Sequence, residues 1–316
     1  MAGAVTYDEI SEFNVAPSRG IQGTLSRWIV NRVLPVATIF IFLIVVWYGA
    51  AAYFNWHFLN VQSQDVNPQA WHRLSLAQQI QRSLSTSTPT LPTPVQALGD
   101  FLGRVEQSPT SDTAIWSDLL WTVRAAVLGF LLGTLIGVIL AVLFMSSRIL
   151  TQSLMPYVVA SQTIPIVALV PAIMITLGLG LRSEVLISAY LAFFSITIST
   201  YKGLQSVQPI AFDLMRSYAA NPWHVFFKLR LPASLPFLFT GLKIGVTASL
   251  IGAIIAEMGS GSSRGLGQVL VAESTYSQNI QLWSTMIAAA SLGLALYGAV
   301  VIAERLFVRW NVESES

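Results

Sequence analysis

The sequence predicts an all-α, polytopic transmembrane bundle of about six spans with cytoplasmic N- and C-termini. Three observations support this fold class. The 316 residues are 54% hydrophobic and only 10% charged, whereas soluble domains carry about 25% charged residues. Apolar runs recur along the chain at the length of a helical span, which is about 20 residues. Lysine and arginine collect beside alternate ends of these runs, as they do on the cytoplasmic side of membrane proteins.

Six apolar runs meet the length requirement, with some allowance for tilt and breaks. In chain order they are Leu34–Phe54, Leu119–Met145, Pro156–Leu177, Val185–Tyr201, Leu235–Ile255 and Leu282–Leu306. The predicted organisation is a cytoplasmic segment (1–33), a first transmembrane helix (34–56), an extracytoplasmic loop (57–116), a transmembrane core (117–307) with a cytoplasmic loop at 202–232, and a cytoplasmic tail (308–316). Within the outer loop, Leu74–Leu84 and Val95–Val105 are each expected to form a short amphipathic helix.

The basic residues predict the orientation. If the N-terminus is inside, the short outward loops hold only Arg182 and Arg264, each with a carboxylate nearby in the sequence. The cytoplasmic set is then Arg19, Arg27, Arg32, Arg148, Lys202, Arg216, Lys228, Arg230, Arg305 and Arg309. This distribution follows the positive-inside rule, and six spans return the C-terminus to the cytoplasm.

Several chemistries are not expected in this chain. It has no cysteine, and His57, His72 and His224 lie far apart, so thiol catalysis and a spaced metal site are excluded. No GxxxxGK[ST] sequence occurs, so ATP binding by a P-loop is not expected. We predict no catalytic residue, metal or cofactor, and the net charge of +2 does not suggest nucleic acid.

The second span carries Gly129, Gly133 and Gly137 on one helix face. Glycine at four-residue spacing lets another helix backbone approach closely in lipid. The sequence therefore predicts a packing face, although glycine is also common in membrane helices without that role.

The third span contains Pro156, Pro165 and Pro171. Pro156 is expected to begin the helix, whereas the two later prolines each remove a backbone hydrogen bond within it. Broken helices at membrane depth often line a transport path, but a kink can also serve packing alone. Both readings stay open at this point.

Ionisable residues are rare in the predicted spans. Arg124 and Lys243 are expected to reach a membrane interface by extending their side chains, and Glu257 is expected at the rim of the fifth span. The glycine-rich stretch Gly259–Gly267 follows it and is predicted to form a flexible or re-entrant turn beside an external gate. The scarcity of buried acids disfavours a carrier driven by an ion gradient.

The segment Asp213–Pro232, DLMRSYAANPWHVFFKLRLP, lies between the fourth and fifth spans. Asp213–Ala220 is predicted to be a short helix that opens on an acidic residue and is stopped by Asn221-Pro222. Trp223–Leu231 follows as an amphipathic stretch, and Pro232 frames the next span. Such a helix–turn–helix suits docking into a partner's groove, although a helix pair lying on lipid headgroups has the same pattern.

This segment resembles the EAA loop of ATP-binding-cassette (ABC) importer permeases. That pattern is Glu-Ala-Ala, three residues, Gly, nine residues, Ile, one residue, Leu-Pro; Asp213 matches its Glu, Ala219 its Gly and Leu231-Pro232 its end. From about Leu91 onwards the chain is similar to the nitrate/sulfonate/taurine branch, which includes riboflavin and thiamine-pyrimidine-precursor permeases. The elements that carry this likeness are LPTPVQALGDFL, the glycine-laddered span, IPIVALVPAIMITLGLG and Glu257…GLG.

The resemblance implies partners and site residues. It implies separate ABC ATPase subunits that hold ATP and Mg, an extracytoplasmic binding protein, and a second permease copy, most simply as a homodimer. The residues implied to dock on the ATPase are Asp213, Leu214, Met215, Tyr218, Ala219, Ala220, Asn221, Pro222, Leu231 and Pro232. The residues expected in the translocation pathway or its gate are Thr163, Pro165, Pro171, Tyr190, Phe194 and Glu257.

The aromatic and hydroxyl side chains of the spans favour a neutral or aromatic heterocycle as the substrate, such as riboflavin or a thiamine-pyrimidine precursor. Nitrate, a sulfonate or taurine is the alternative within the family. Two alternatives of another class are an ion-driven secondary transporter and a membrane scaffold without transport activity.

Overall fold

The computed structural model of the chain describes residues 34–66, 74–107, 115–261 and 264–308. Predictions for 1–33, 309–316 and the gaps lie outside the described residues. Twelve α-helices and one π-helical turn occur in the described ranges, and no strand does. They are α1 (Leu34–Val66), α2 (Leu76–Ser85), α3 (Pro94–Glu106), α4 (Trp116–Ser146), α5 (Arg148–Ser161), α6 (Ile166–Leu177), α7 (Leu181–Gln205), α8 (Pro209–Ser217), α9 (Pro222–Val225), the π-helical turn Phe226–Arg230, α10 (Leu231–Ser260), α11 (Leu266–Thr275) and α12 (Asn279–Phe307).

Five helical segments of the described chain are long and apolar enough to cross a membrane, and six if the bent pair α5–α6 counts as one span. This confirms the all-α class and the prediction of about six spans. The predicted second, fourth, fifth and sixth spans each lie inside a longer helix, α4, α7, α10 and α12 respectively.

The chain divides into two compact units, the first of which ends at Ser85. In that unit α1 and α2 are joined by hydrogen bonds from Asn55 Nδ2 to the Ser83 carbonyl (3.0 Å) and from Trp56 Nε1 to Gln79 Oε1 (2.9 Å). Helix α1 runs ten residues past the predicted end at 56. No glycine or proline occurs between the predicted end and Pro68, and a helix usually ends just before a proline.

In the second unit, α7 packs along both α4 and α10. The predicted glycine face of α4 is confirmed, because Gly129, Gly133 and Gly137 are buried against α7. A methyl group built on Gly133 would lie only 2.9 Å from the Ala189 carbonyl oxygen. Helix α10 approaches the other side of α7 just as closely, since a methyl group on Gly252 would lie 2.8 Å from Ser188 Cα.

The predicted third span is broken between α5 and α6, which are bent by 99°. Pro165 stands at the break, as expected, and caps α6. The other two prolines differ from expectation. Pro156 lies inside α5, whose start is instead fixed by the Ser147 side chain accepting from Leu150 N at 3.3 Å. Pro171 lies within α6 without ending it.

Candidate functional site

The segment between α7 and α10 begins with α8. Its first residue is Pro209, whose fixed φ suits the first position of a helix. The prediction that this helix opens at Asp213 was therefore wrong by one turn. Asp213 lies in mid-helix on the exposed surface, where its carboxylate pairs with Arg216 at 3.3 Å.

A left-handed turn ends α8. Ala219 has φ 51°, and the Ala220 amide donates to the Met215 carbonyl at 3.0 Å. Glycine is the usual residue at such a helix end, and Ala219 occupies the position at which the EAA pattern has glycine. The turn is thus built with the expected geometry but with a residue that strains it.

Asn221 starts the next helix, which confirms the predicted stop at Asn221-Pro222. Its side-chain oxygen accepts from the His224 amide at 2.8 Å, and Pro222 is the first helical residue. From Pro222 the helix continues through the π-helical turn Phe226–Arg230 into α10, and so to Ser260. Pro232 lies within this continuous helix rather than framing a new one, directly after the π-helical turn that ends at Arg230.

The segment exposes a ridge of large apolar side chains. Along it lie Ile210, Leu214, Tyr218 (76% exposed), Trp223 (70%) and Phe227. The rings of Trp223 and Phe227 stack with centroids 5.8 Å apart. We call this set the exposed ridge. A rimmed apolar patch of this kind marks a protein or membrane contact.

The ten residues predicted to dock divide into two groups by exposure. Asp213, Leu214, Tyr218, Ala219, Asn221 and Pro222 are exposed. Met215, Ala220, Leu231 and Pro232 are half-buried. The first group is available to a partner, whereas the second packs within the chain and supports the turn and the start of α10.

A cavity of about 440 Å³ opens at the break between α5 and α6. Three predicted pathway residues meet there, Pro165, Tyr190 and Phe194, together with Ser161 and Gln162. The Tyr190 hydroxyl donates to the Ser161 carbonyl at the end of α5, which satisfies a backbone group freed by the break. The cavity is therefore lined mainly by aromatic, apolar and neutral polar groups.

Two other predicted pathway residues are not among those that line this cavity. Thr163 lies in the break, but its hydroxyl donates to the Ala160 carbonyl at 2.8 Å. Pro171 is exposed on α6. The cavity is therefore lined by residues on both sides of the break, but not by every residue that was predicted to line the pathway.

Glu257 lies in the packed interior of the second unit, not at a rim. Its side chain is 0% exposed, and Oε2 accepts from the Gly267 amide (2.8 Å) and from the Thr122 hydroxyl (3.0 Å). The Gly265 amide donates to Asp118 at 2.8 Å. Glu257 thus fastens the glycine-rich segment to α4, although residues 262–263 of that segment lie outside the described range.

Lys243 does not reach an interface alone, as the sequence led us to expect. Its ammonium group lies 2.5 Å from a carboxylate oxygen of Glu304 on α12, and both side chains are mostly buried. Sequence reasoning missed Glu304 as the partner of Lys243, because the sequence does not show which residues of α10 and α12 face each other. Arg124, the other residue of this group, is exposed on α4.

Glu184 is a second buried carboxylate that sequence reasoning missed. It is 0% exposed and accepts from Trp121 Nε1 at 3.0 Å. In the sequence it is the carboxylate near Arg182 in a predicted outward loop. Its position in the first turn after Gly180 was the available signal, since acidic residues stabilise helix N-termini.

Helices α3, α11 and α12 meet in a polar cluster. Arg104 Nη1 lies 2.9 Å from Glu273 Oε1, and the Thr285 hydroxyl donates to Glu273 Oε2 at 2.7 Å. Burial raises the pKa of Glu273, and the hydrogen bond from Thr285 and the charge of Arg104 act against that rise. The cluster fixes the amphipathic helix α3, predicted as Val95–Val105, against α11 and α12.

Comparison with known proteins identifies the class. Residues 133–311, more than half of the chain, match the family described as "Binding-protein-dependent transport system inner membrane component". The chain belongs to this family. It is an ABC importer permease of the type I family and a multi-pass protein of the inner membrane.

Individual relatives give more detail. The chain is 31% identical to a "Probable ABC transporter permease protein" of Haemophilus influenzae over 69% of this chain and 91% of the relative. It is 28% identical to the formylaminopyrimidine transport permease protein ThiX of Halalkalibacterium halodurans, over 70% of this chain and 86% of the relative. It is 32% identical to the riboflavin transport system permease protein RibX of Chloroflexus aurantiacus, over 70% and 80%. Relatives named for aliphatic sulfonates and nitrate also match.

Proposed function

We propose that the exposed ridge of this permease faces the cytoplasm and docks on a separate ATPase subunit, which holds ATP and Mg and carries out hydrolysis. The observation that supports this most directly is the form of the segment 209–230. It presents large apolar side chains to solvent on a well-capped helical turn. Such a protrusion fits a groove on a partner.

The continuity of the helix gives the ridge a mechanical connection to the membrane core. Trp223 and Phe227 of the ridge belong to the same unbroken helix as Gly252. That glycine packs against α7, and Tyr190 of α7 lines the cavity at the broken helix. A displacement of the ridge by the ATPase would therefore shift α10 against α7 and change access to the cavity. Movement between packed helices of this type is the usual basis of alternating access.

We propose a neutral or aromatic heterocycle as the transported solute, delivered by an extracytoplasmic binding protein. Among the described residues that line the cavity there is no charged side chain, and Tyr190 and Phe194 offer ring faces for stacking. The relatives named for formylaminopyrimidine and riboflavin support the same class. Nitrate or a sulfonate is the second candidate, since relatives carry those names too.

We further propose that two copies of the chain form the pathway together. Helix α6, one wall of the cavity, leaves Val167, Ile175 (87% exposed) and Leu177 uncovered. A second copy would cover these side chains and close the open side of the cavity. In each copy both termini would lie in the cytoplasm, as the distribution of basic residues predicts.

Two tyrosines allow a matched test of ATPase docking. Tyr218 and Tyr276 are 76% and 75% exposed, and each lies at the C-cap of a short helix. Each is followed by a residue with positive φ, Ala219 or Ser277. The proposal places Tyr218 on the ATPase side and Tyr276 on the opposite side of the membrane.

The experiment is co-purification of the cognate ATPase with the permease, together with solute uptake. Tyr218→Asp should remove both ATPase binding and uptake, because a charge replaces an apolar contact at the centre of the ridge. Tyr276→Asp should leave ATPase binding unchanged. Retention of the ATPase by Tyr218→Asp, or its loss from Tyr276→Asp, would show that the docking site is placed wrongly. Uptake by the purified chain without an ATPase would instead favour an ion-driven carrier, and a complex without solute flux would favour a scaffold.

A further inference from the structure

A second cavity, of about 420 Å³, lies between the end of α4 and the segment 209–230. Its lining combines an apolar and aromatic wall with two guanidinium groups. The residues that define it are Met145, Phe212, Arg216, Pro222, Phe226 and Arg230. We call it the arginine pocket. Its size falls within the range of ordinary ligand sites, which is about 300–1,000 Å³.

The positive charge of the arginine pocket is only partly balanced by acidic side chains in the described part of the chain. Arg230 is half-buried, and its guanidinium lies over the Phe212 ring, 5.0 Å from the centroid. Among the acidic residues in the described part of the chain, none forms an ion pair with Arg230. Arg216 pairs with Asp213, but both side chains are largely exposed. An exposed pair contributes little and is readily exchanged, so both guanidiniums are available to an anion.

The pocket and the exposed ridge lie on different faces of α8. Phe212 and Arg216 are four residues apart and share the pocket face. Ile210 and Leu214 are also four residues apart and share the exposed ridge. Since each residue advances by about 100°, Phe212 is turned about 200° from Ile210. An ATPase bound to the ridge would therefore leave the pocket facing the membrane core.

The pocket lies where two candidate membrane spans meet the segment 209–230, which is the level expected for lipid headgroups. Met145 is the penultimate residue of α4, and Arg230 directly precedes the first residue of α10. Both helices belong to candidate membrane spans. Val142, three residues before Met145 and so on the same side of α4, is half-buried and continues the apolar surface towards the bilayer interior. A molecule in the pocket could thus hold a charged end at the arginines and an apolar end along α4.

We propose that the arginine pocket binds one acidic phospholipid of the cytoplasmic leaflet. Its phosphate lies between Arg216 and Arg230, and its glycerol and first acyl carbons contact Met145 and Phe226. Guanidinium groups form strong, charge-assisted hydrogen bonds with phosphate oxygens. The proposal rests on the cytoplasmic orientation proposed above. It makes the lipid a bridge between α8 and α4, so that occupancy stiffens the segment that meets the ATPase.

The test uses the purified full-length permease without any ATPase, so its result does not depend on the docking proposal. Phosphatidylglycerol and phosphatidylcholine with the same acyl chains are titrated into the detergent-solubilised protein. Bound lipid is counted by native mass spectrometry, and the thermal unfolding midpoint is followed in parallel. We expect one phosphatidylglycerol to bind more tightly than phosphatidylcholine and to raise the midpoint.

Three variants separate the pocket from general positive charge. Arg230→Gln should weaken phosphatidylglycerol binding on the order of tenfold, since one charge-assisted contact is lost. Met145→Trp keeps both arginines but fills the cavity, and should weaken binding as well. Arg305→Gln is the matched control, because it removes the same charge at the end of α12 and should bind like the unmodified chain.

Four results would overturn the proposal. The first is equal binding of the two lipids, and the second is unchanged phosphatidylglycerol binding by Arg230→Gln and Met145→Trp. The third is a rise of the unfolding midpoint with inorganic phosphate that equals the rise with phosphatidylglycerol, which would assign the pocket to a free anion. The fourth is a loss of phosphatidylglycerol binding in Arg305→Gln equal to that in Arg230→Gln, which would assign the binding to general positive charge.

Discussion

Replacing Gly133 by alanine should force α4 and α7 apart. The added methyl group would lie 2.9 Å from both the Ala189 carbonyl oxygen and Ala192 Cβ. Carbon atoms normally pack at about 3.5 Å or more, so the helices must separate by about 0.6 Å or bend. Overpacking of this kind costs about 1–3 kcal/mol. The backbone atoms of α7 cannot rotate away as a flexible side chain would, so the cost should fall within that range.

Gly298→Ala is the matched control for Gly133→Ala. Gly298 also lies within a membrane-spanning helix, α12, but a methyl group there would meet nothing within 4 Å. Both substitutions gain the same helix propensity, about 1 kcal/mol, so the difference between the variants isolates the packing cost. The assay is equilibrium unfolding in mixed detergent micelles. If the two variants have equal free energies of unfolding, the close approach of α4 and α7 is wrong.

Three further predictions concern the polar and strained positions. Glu257→Ala should speed hydrogen exchange in α11, because the buried Gly267 amide loses its acceptor at a cost of about 1–3 kcal/mol. Glu257→Gln keeps an acceptor and should leave the exchange rate unchanged. Lys243→Glu should lower the thermal unfolding midpoint by placing two carboxylates together, and adding Glu304→Lys should restore it; failure of the exchanged pair to recover stability would refute the contact. Ala219→Gly should keep or raise uptake, since it relieves about 1 kcal/mol of left-handed strain, and Ala219→Val should abolish it; equal uptake by both variants would contradict the turn geometry.

Much of the fold could be predicted from short stretches of sequence. The glycines of α4 predicted a packing face because their four-residue spacing places them on one side of any helix. Asn221-Pro222 marked the end of the preceding helix because a proline disfavours helical backbone in the residue just before it. The break at Pro165 was visible for the same reason, since proline affects the backbone beside it. Each of these features is decided within about one turn of chain.

Features that depend on contacts between residues far apart in the sequence could not be predicted from such short stretches. Glu257 was predicted at a rim because the sequence does not show that the Thr122 hydroxyl and the Gly267 amide both donate to it. The pairing of Lys243 with Glu304 depends on the relative heights of α10 and α12. The true start of α5 was hidden because Pro156 looked like a helix start, whereas the Ser147 cap lies nine residues earlier.

The candidate site was predicted in part. The ridge residues Leu214 and Tyr218 are exposed as a docking role requires, and Tyr190 and Phe194 line one cavity. The unbroken helix from Pro222 to Ser260 was not foreseen, because Pro232 was read as a break. That continuity changes the expected mechanism, since it joins Trp223 and Phe227 of the ridge to the fifth span in one helix instead of two jointed helices.

Site-directed cross-linking tests the central claim, that the segment 209–230 docks on the ATPase, most directly. The chain has no cysteine, so Tyr218→Cys introduces a single reactive thiol without further changes, and Tyr276→Cys provides its control. In membranes that contain the complete transporter, a thiol cross-linker should join the ATPase to the Tyr218→Cys variant only. Cross-linking of the ATPase to Tyr276→Cys, or to neither variant, would contradict the proposed docking site and its cytoplasmic orientation.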